Sequence, residues 1–313
     1  MNIKFWGVRG SIPTPTSPSR IKSKISAIVE QITPEDLLSA ETRERFLAGL
    51  PPWLFGTVGG NSPCVSVTFD DCMECIIFDC GSGIREMGIA QFAEKSKINH
   101  YHVFLSHFHW DHLQGLPFFG PGYNPAVKMD FYSPVGNLES IISGQMVHPY
   151  FPVNLNVMGS VKTFHYMEKD IDILNRTISM KKMNHPGDSY AYCVNENGKR
   201  VIYATDTELT SGDFIKTDDN IAFFKDADMI VIDCQYTLGE AIEKYNWGHS
   251  AFSLAVDFTA NWNIKQMVMF HHDPTYDDQK LYGILQSARW YLERMNIKGI
   301  ELTLAYEGLE IKI

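Results

Sequence analysis

Short, mostly apolar runs that end at a His or an Asp recur along the chain, and segments with helical spacing separate them. The runs Tyr101–Leu105, Arg200–Thr205 and Gln266–Phe270 each indicate a buried strand. Apolar side chains recur at helical spacing over Ala251–Phe258 and Leu281–Met295. This alternation of strands with helices predicts an α/β fold.

The two ends of the chain also carry strand patterns. Asn2–Val8 predicts a first strand, and Glu301–Ala305 with Leu309–Ile313 predicts a closing β-hairpin. No linker, repeat or low-complexity segment interrupts the chain. We therefore expect a single domain over residues 1–313.

Residues 19–55 depart from the strand pattern and predict a helical insertion. Ile21, Ile25 and Ile32 recur at helical spacing, and a second helical run begins at Pro34. The insertion could cover a site as a lid, form a dimer contact, or be a plain pair of surface helices.

Composition narrows the class of protein. Of the 313 residues, 44% are hydrophobic, which is enough for a large core. No run of about 18 apolar residues is present, so we expect no membrane span. The first residues start directly as a strand and lack a signal-peptide layout. The six cysteines are scattered, which indicates a reducing cytoplasm, and the lone pair Cys72-x-x-Cys75 has no second pair that would complete a zinc site.

The formal net charge of −10 bears on the choice of partner. It disfavours an extended binding surface for long nucleic acid, because such binding needs clustered Lys and Arg side chains. It leaves a small anionic substrate open, because bound divalent metals reverse the local field.

The stretch Leu105–His112 carries the strongest chemical signal. His107, His109, Asp111 and His112 are metal-competent side chains that directly follow a predicted strand. In an extended loop His107 and His109 point the same way, and the last two residues can face a second position. Neutral imidazoles with a carboxylate suit zinc, manganese or iron.

Three further apolar runs are each followed by a His or an Asp that could bind a metal. His185, Asp206 and His271 each stand just beyond such a run. Sheet proteins place their chemistry at one end of the strands, because the loops there are free to vary. We therefore expect these three residues to converge with Leu105–His112 on one site.

The order His-x-His-x-Asp-His from His107 to His112 resembles the signature of the metallo-β-lactamase superfamily. Six further segments resemble its phosphodiesterase and ribonuclease Z-like branch: Trp6–Pro13, Gly59–Asn61, Asp79–Gly83, Pro117–Tyr123, Met146–Val153 and Gly248–Ser250. The resemblance implies a four-layer αββα sandwich that holds two divalent metal ions.

The resemblance also implies how the ligands divide. One ion would be held by His107, His109 and His185, and the other by Asp111, His112 and His271, with Asp206 bridging the two. We prefer His271 to His272 as the last ligand because it directly follows the apolar run, although His272 stays open. Zinc is the favoured ion, and manganese and iron remain alternatives.

Three carboxylates and one histidine have expected roles beyond metal binding alone. Asp233 and His249 match positions at which ribonuclease Z relatives carry an acid that orients a proton-donating histidine. A carboxylate fixes an imidazole's tautomer and raises its pKa, so the pairing makes chemical sense. Asp79 is expected to accept hydrogen bonds behind the metals. Asp111 is expected to orient or deprotonate the attacking water.

The functional hypothesis is a two-metal phosphodiesterase that acts on a small cyclic nucleotide. The alternatives are a ribonuclease Z-like RNA 3′-end endonuclease and a lactone or thioester hydrolase. From another class, we retain a metal-binding sensor without turnover. We expect a small phosphodiester as the partner rather than long nucleic acid, and the resemblance suggests a homodimer.

Overall fold

Two mixed seven-stranded sheets frame the protein in a computed structural model that describes residues 1–313. The strands along the chain are β1 (Asn2–Gly7), β2 (Cys64–Thr68), β3 (Glu74–Phe78), β4 (His100–Phe104), β5 (Lys128–Ser133), β6 (Val161–Tyr166), β7 (Ile171–Ile173), β8 (Arg176–Lys182), β9 (Tyr190–Glu196), β10 (Lys199–Ala204), β11 (Met229–Asp233), β12 (Gln266–Phe270), β13 (Glu301–Leu304) and β14 (Glu310–Lys312). The first sheet has the order β14-β1-β2-β3-β4-β5-β6, and the second has the order β13-β12-β11-β10-β9-β8-β7.

Ten α-helices connect or flank the strands. They are α1 (Pro18–Val29), α2 (Ala40–Gly49), α3 (Pro52–Phe55), α4 (Gly83–Ala93), α5 (Trp110–Leu113), α6 (Leu138–Gly144), α7 (Asp218–Phe224), α8 (Leu238–Glu243), α9 (Phe252–Asn261) and α10 (Asp278–Arg294). Short 3₁₀ turns lie at Glu35–Leu37, Leu116–Phe118, Gly120–Tyr123, Leu155–Val157 and Ser211–Phe214. None of the helices combines the length and hydropathy that crossing a bilayer would require.

The inner layer of the core lies between the two sheets. Phe78 and Phe104 of the first sheet pack there with Tyr203 and Phe270 of the second. The rings of Phe78 and Tyr203 stack with their centroids 5.0 Å apart. Such aromatic contacts hold the sheets face to face.

Helices cover both outer faces, which confirms the predicted four-layer αββα sandwich. In the first sheet, Ile77 points outward and packs in a cluster with Ile84 of α4 and Ile142 of α6. In the second, Ile232 packs outward with Phe258 of α9 and other side chains from α7 and α10. Strands with both faces buried become continuous apolar runs, which explains the pattern in the sequence.

The predicted closing hairpin is wrong. β13 pairs in parallel with β12 in the second sheet, whereas β14 pairs antiparallel with β1 in the first. The chain crosses between the sheets at Gly308, whose N–H donates to the carbonyl of Phe5 over 2.8 Å. Two short strands joined by a turn look like a hairpin locally, but here each strand finds an unpaired edge in a different sheet.

The segment 19–55 contains α2, α3 and most of α1. Asp278, at the start of α10, accepts a hydrogen bond from the Val58 N–H over 3.0 Å and pairs with Lys24 of α1, which ties the segment to α10. The apolar side chains of α1 face solvent, since Ile25 is 56% and Val29 63% exposed. The lid, the dimer contact and the single-domain organisation remain predictions.

The six cysteines are free thiols. Cys75 is buried in the outer layer under the helices, whereas Cys72 packs against the inner core between the sheets. The two thiols of the Cys-x-x-Cys motif therefore face different layers.

Candidate metal centre

The predicted site residues meet at one end of the sandwich. The segment His107–His112 follows β4, Asp206 follows β10, and His271 follows β12. Asp206 and His271 have left-handed backbones, with φ of 45° and 58°. Asp and His are among the non-glycine residues that adopt this conformation most readily, so the sharp bend after each strand suits the residue that must enter the site.

Four side chains form what we term the first cluster. They are His107, His109, His185 and Asp206, and each offers one donor atom within 4.8 Å of the others. His185 reaches the cluster from the connection between β8 and β9. His109 is the exposed member, which leaves this side of the cluster open to solvent.

The second cluster consists of Asp111, His112, Asp206 and His271, all of them buried. Nε2 of His271 lies 3.3 Å from Oδ2 of Asp111. Nε2 of His112 lies 3.2 Å from Oδ1 of Asp206. In the first cluster, by contrast, Nε2 of His107 lies 3.5 Å from Oδ2 of Asp206. Asp206 thus turns one oxygen toward each cluster, as a bridging carboxylate would.

Hydrogen bonds at the far ring nitrogens orient three of these histidines. His112 donates from Nδ1 to Asp79 over 2.8 Å, and His185 donates from Nδ1 to the carbonyl of Gly248 over 2.8 Å. Nδ1 of His107 lies 3.1 Å from Oγ of Ser106. A donated Nδ1–H leaves Nε2 as a lone pair, the form that binds a metal.

The residues fit two divalent ions. Nε2 of His107 and Nε2 of His112 are buried, and neither has a hydrogen-bond partner. A buried polar atom without a partner is costly, and a bound cation would satisfy both nitrogens. Imidazoles with carboxylates suit zinc, manganese or iron.

The electrostatics of the clusters favour a cation. Burial lowers the pKa of His107 well below its usual value, so its imidazole is neutral. Burial alone would raise the pKa of Asp111 and of Asp206, but the surrounding imidazoles outweigh it and lower both, so the carboxylates stay ionised. At His112, Asp111 and the other carboxylates outweigh burial and raise the pKa, which shows that the field there attracts positive charge.

The loop after β1 contacts two members of the second cluster, Asp111 and His271. The N–H of Ser11 donates to Oδ2 of Asp111 over 2.8 Å. Gly10 packs so closely against His271 that a Cβ at this position would lie 2.5 Å from the ring. The neighbouring Arg9 is buried and donates to the carbonyls of Gly59 and Tyr276, so its guanidinium ties the structure together instead of facing the site.

Asp233 and His249 form a pair beside both clusters. Nδ1 of His249 lies 2.6 Å from Oδ2 of the buried Asp233. Burial alone would lower the pKa of His249, but the charge and hydrogen bond of Asp233 outweigh it and raise the pKa. The His249 ring lies 5.0 Å from the ring of His271 and 5.3 Å from that of His185, centroid to centroid.

His272 points away from both clusters. Its Nε2 donates to the carbonyl of Ala305 over 2.9 Å, and the side chain is almost fully buried. Burial lowers its pKa to about 3. His272 therefore has a structural contact of its own, and His271 is the neighbour that faces Asp111 and Asp206.

Several supporting contacts were not foreseen from the sequence. Asp79 also accepts hydrogen bonds from Oγ of Ser106 and from the hydroxyl of Tyr203, each over 2.8 Å. Glu208 accepts from the N–H of Gly248 over 2.9 Å and so holds the loop that carries His249. The side chain of Tyr203 on β10 points into the core between the sheets. Its hydroxyl is a polar group on an otherwise apolar face, and this was the one signal in the sequence that could have revealed the contact with Asp79.

A cavity of about 380 Å³ opens over the clusters. Asp111, Asp206, His249 and His271 line it, and Trp110 stands at its rim with 86% of its surface exposed. A larger cavity of about 740 Å³ lies against α4, but none of the predicted site residues lines it. The smaller cavity is therefore the one of these two that the predicted site residues line.

An αββα sandwich whose strand ends gather paired His and Asp clusters defines a class of metal-dependent hydrolases. A family profile described as "Beta-lactamase superfamily domain" matches residues 75–272. The chain belongs to the metallo-β-lactamase superfamily, as the motifs predicted, and its ribonuclease Z relatives support the predicted phosphodiesterase and ribonuclease Z-like branch.

Individual relatives are distant but cover most of the chain. Ribonuclease Z of Picrophilus torridus is 23% identical over 273 residues, which span 71% of this chain and 84% of that protein. The metallo-β-lactamase fold protein YhfI of Bacillus subtilis matches with a TM-score of 0.65 at 14% identity, covering 99% of this chain and 98% of that one. A diphosphatase of the PhnP family matches with a TM-score of 0.62 at 16% identity, covering 100% and 97%. The two structural likenesses support the fold.

Proposed function

We propose that the protein is a two-metal phosphodiesterase that acts on a small cyclic nucleotide. The observation that carries the proposal is the 2.6 Å contact between Asp233 and His249 at the edge of the metal clusters. Cleavage of a phosphodiester leaves a negative charge on the departing oxygen, and a proton donor beside the metals would neutralise it. Similarity to a ribonuclease, an enzyme of phosphodiester bonds, also supports this reaction class.

Two divalent ions held by the seven ligands would polarise the phosphate and activate a water molecule. His249 would donate the proton from its Nε2 to the leaving oxygen. Asp233 accepts the Nδ1–H of His249, fixes the tautomer and stabilises the protonated ring. Asp111, held by the N–H of Ser11, would orient the attacking water and accept its proton.

Charge and shape support a small substrate. The chain has a formal net charge of −10, and long nucleic acid binds best to clustered positive charge. The cavity of about 380 Å³ is within the usual range for small-molecule sites. The exposed Trp110 offers a flat face on which a nucleobase can stack.

Ribonuclease Z-like cleavage at an RNA 3′ end is the second candidate, because the ribonuclease Z relatives span most of this chain. The chemistry would be the same, and only the substrate would differ. The negative net charge of the chain favours a small substrate over RNA. Zinc is the favoured ion for either reaction, and a homodimer remains a prediction.

The test is turnover of 3′,5′-cyclic AMP and cyclic GMP beside an aryl phosphodiester and a precursor RNA with a 3′ extension. Each substrate would be offered to zinc-loaded and to manganese-loaded protein, with Asp111→Ala as the inactive control. We expect hydrolysis of the cyclic nucleotides, lost in the control.

The other outcomes are equally informative. Cleavage of the precursor RNA with no turnover of cyclic nucleotides would replace the proposal with the second candidate. Inactivity on every phosphodiester, with turnover of a lactone or thioester, would show a different hydrolase. Metal-loaded protein that is inert to all of these substrates would indicate a sensor.

A further inference from the structure

A second group of imidazoles and carboxylates lies at the other end of β3, β4 and β5. In the first sheet Glu74 is in register with His100, and His102 is in register with Asp130. Residues in register on parallel strands point to the same face, here the face toward the inner core. The group stands where these strands begin, whereas the predicted catalytic residues follow the strands' carboxyl ends.

Three of these side chains converge on one point. Oε2 of Glu74 lies 2.7 Å from Nδ1 of His100 and 2.8 Å from Nε2 of His102. The three donor atoms all lie within 4.8 Å of one another. Bonds of about 2.0–2.2 Å to a tetrahedral ion would need donors about 3.3 Å apart, so a small rotation of the Glu74 carboxylate makes room.

The outward-facing ring nitrogens are held as they are in metal sites. Nε2 of His100 lies 2.6 Å from Oδ2 of Asp130, and Nδ1 of His102 lies 3.1 Å from the hydroxyl of Tyr132. Metal-bound histidines usually donate the second ring N–H to a carboxylate or another oxygen, which fixes the tautomer and the ring. Both histidines have that support here.

No lysine or arginine balances the charge of the two carboxylates in this group. The ion pairs of Glu74 and Asp130 involve histidines alone, with no Lys or Arg. Two carboxylates without a Lys or Arg partner leave a negative field at the point where the donors converge, and a cation would neutralise it.

We propose that Glu74, His100 and His102 form a further site for zinc or another late first-row divalent ion, separate from the two clusters. Glu74 is 31% and His100 21% exposed, so an ion can enter from solvent and keep a water ligand. Because the ligands come from neighbouring strands, the ion would link β3 to β4 near the amino ends of these strands. The site does not depend on the proposed function.

The test is metal content. Protein saturated with Zn²⁺ and then freed of loosely bound ion would be measured by plasma mass spectrometry, and we expect about three ions per chain. Glu74→Gln and His100→Gln should each lose about one ion and retain about two. Asp206→Ala should lose ions from the clusters and keep the one at Glu74. His165→Gln is the matched control, since His165 touches Asp130 but is not one of the three donors.

An alternative explanation needs no metal, because both ring nitrogens of His100 already lie within hydrogen-bond distance of a carboxylate, Glu74 at 2.7 Å and Asp130 at 2.6 Å. In that case wild type and His100→Gln would bind the same number of ions, and the proposal would be overturned. If the variants fail to fold, anomalous diffraction at the zinc edge from wild-type crystals decides the matter. A peak bonded to the three donors supports the site, and its absence in zinc-saturated crystals refutes it.

Discussion

The carbonyl of Gly248 accepts the Nδ1–H of His185 over 2.8 Å, so the residue next to the proposed proton donor orients a proposed metal ligand. Gly248 has φ of +87°, a conformation that favours glycine. A Cβ at this position would lie 2.1 Å from Nδ1 of His185. A shift of the short loop at Gly248 would therefore move both the proposed proton donor, His249, and the contact that orients His185 in the first cluster.

Gly248→Ala should therefore displace His185 and weaken metal binding in the first cluster. We expect a loss of about one ion per chain together with most of the activity, as seen when partners of metal ligands are removed. Metal analysis and turnover on the same preparation would measure this. Gly239→Ala is the matched control, because a Cβ there meets no atom within 4 Å. Full metal content in Gly248→Ala would contradict the coupling.

His249→Ala should slow turnover while both ions stay bound. Loss of a general acid typically costs about 10²–10⁴-fold in rate. The decisive comparison is between a cyclic nucleotide and an aryl diester with a good leaving group. The aryl leaving group needs little protonation, so its hydrolysis should fall much less. An equal loss on both substrates would argue against proton donation by His249.

The pH dependence should respond to Asp233. The carboxylate raises the pKa of His249 above its usual value, so the ring stays protonated further into the neutral range. A general acid must be protonated, and activity is therefore lost as pH rises through this pKa. Asp233→Asn keeps a hydrogen-bond acceptor but removes the charge, so the alkaline limb of the kcat profile should move to lower pH. An alkaline limb that stays in place would assign that ionisation to another group.

Substitution of His271 and of its neighbour His272 should have different effects on metal content. His271 faces Asp111 and Asp206, at 3.3 and 3.1 Å. His272 instead donates to the carbonyl of Ala305. His271→Gln should lose about one ion with little change in stability, whereas His272→Gln should keep its ions and unfold at a lower temperature. The opposite result would exchange the two assignments.

The predicted ligands could be found from the sequence because their signal is local. His107 to His112 are close in the chain, and His271 directly follows an apolar run that forms β12. The contacts that orient them leave no such signal. The carbonyl of Gly248 and the N–H of Ser11 are backbone groups, which every residue carries, and only the folded chain aims them at His185 and Asp111.

Register explains the other omissions. Glu74 and His102 are distant in sequence and meet because β3 and β4 pair in parallel with Ile76 opposite His102. The final strand, β14, looked like half of a hairpin and instead completes the edge of the first sheet. Local pattern predicts that a strand forms, but pairing depends on which edges the rest of the fold leaves open.

Trp110 should contribute to recognition of the base rather than to chemistry. It lies at the rim of the cavity with 86% of its surface exposed, an unusual position for a large aromatic side chain without a stacking partner. Stacking of one base is worth about 1–3 kcal/mol, so Trp110→Ala should raise KM for cyclic nucleotides by roughly 5- to 150-fold with kcat little changed. An aryl diester too small to reach the rim should be hydrolysed as by wild type. Trp290→Ala, which removes an exposed tryptophan from α10, is the matched control. If Trp110→Ala instead lowers kcat on both substrates, the side chain supports the fold of the His107–His112 loop and does not bind the base.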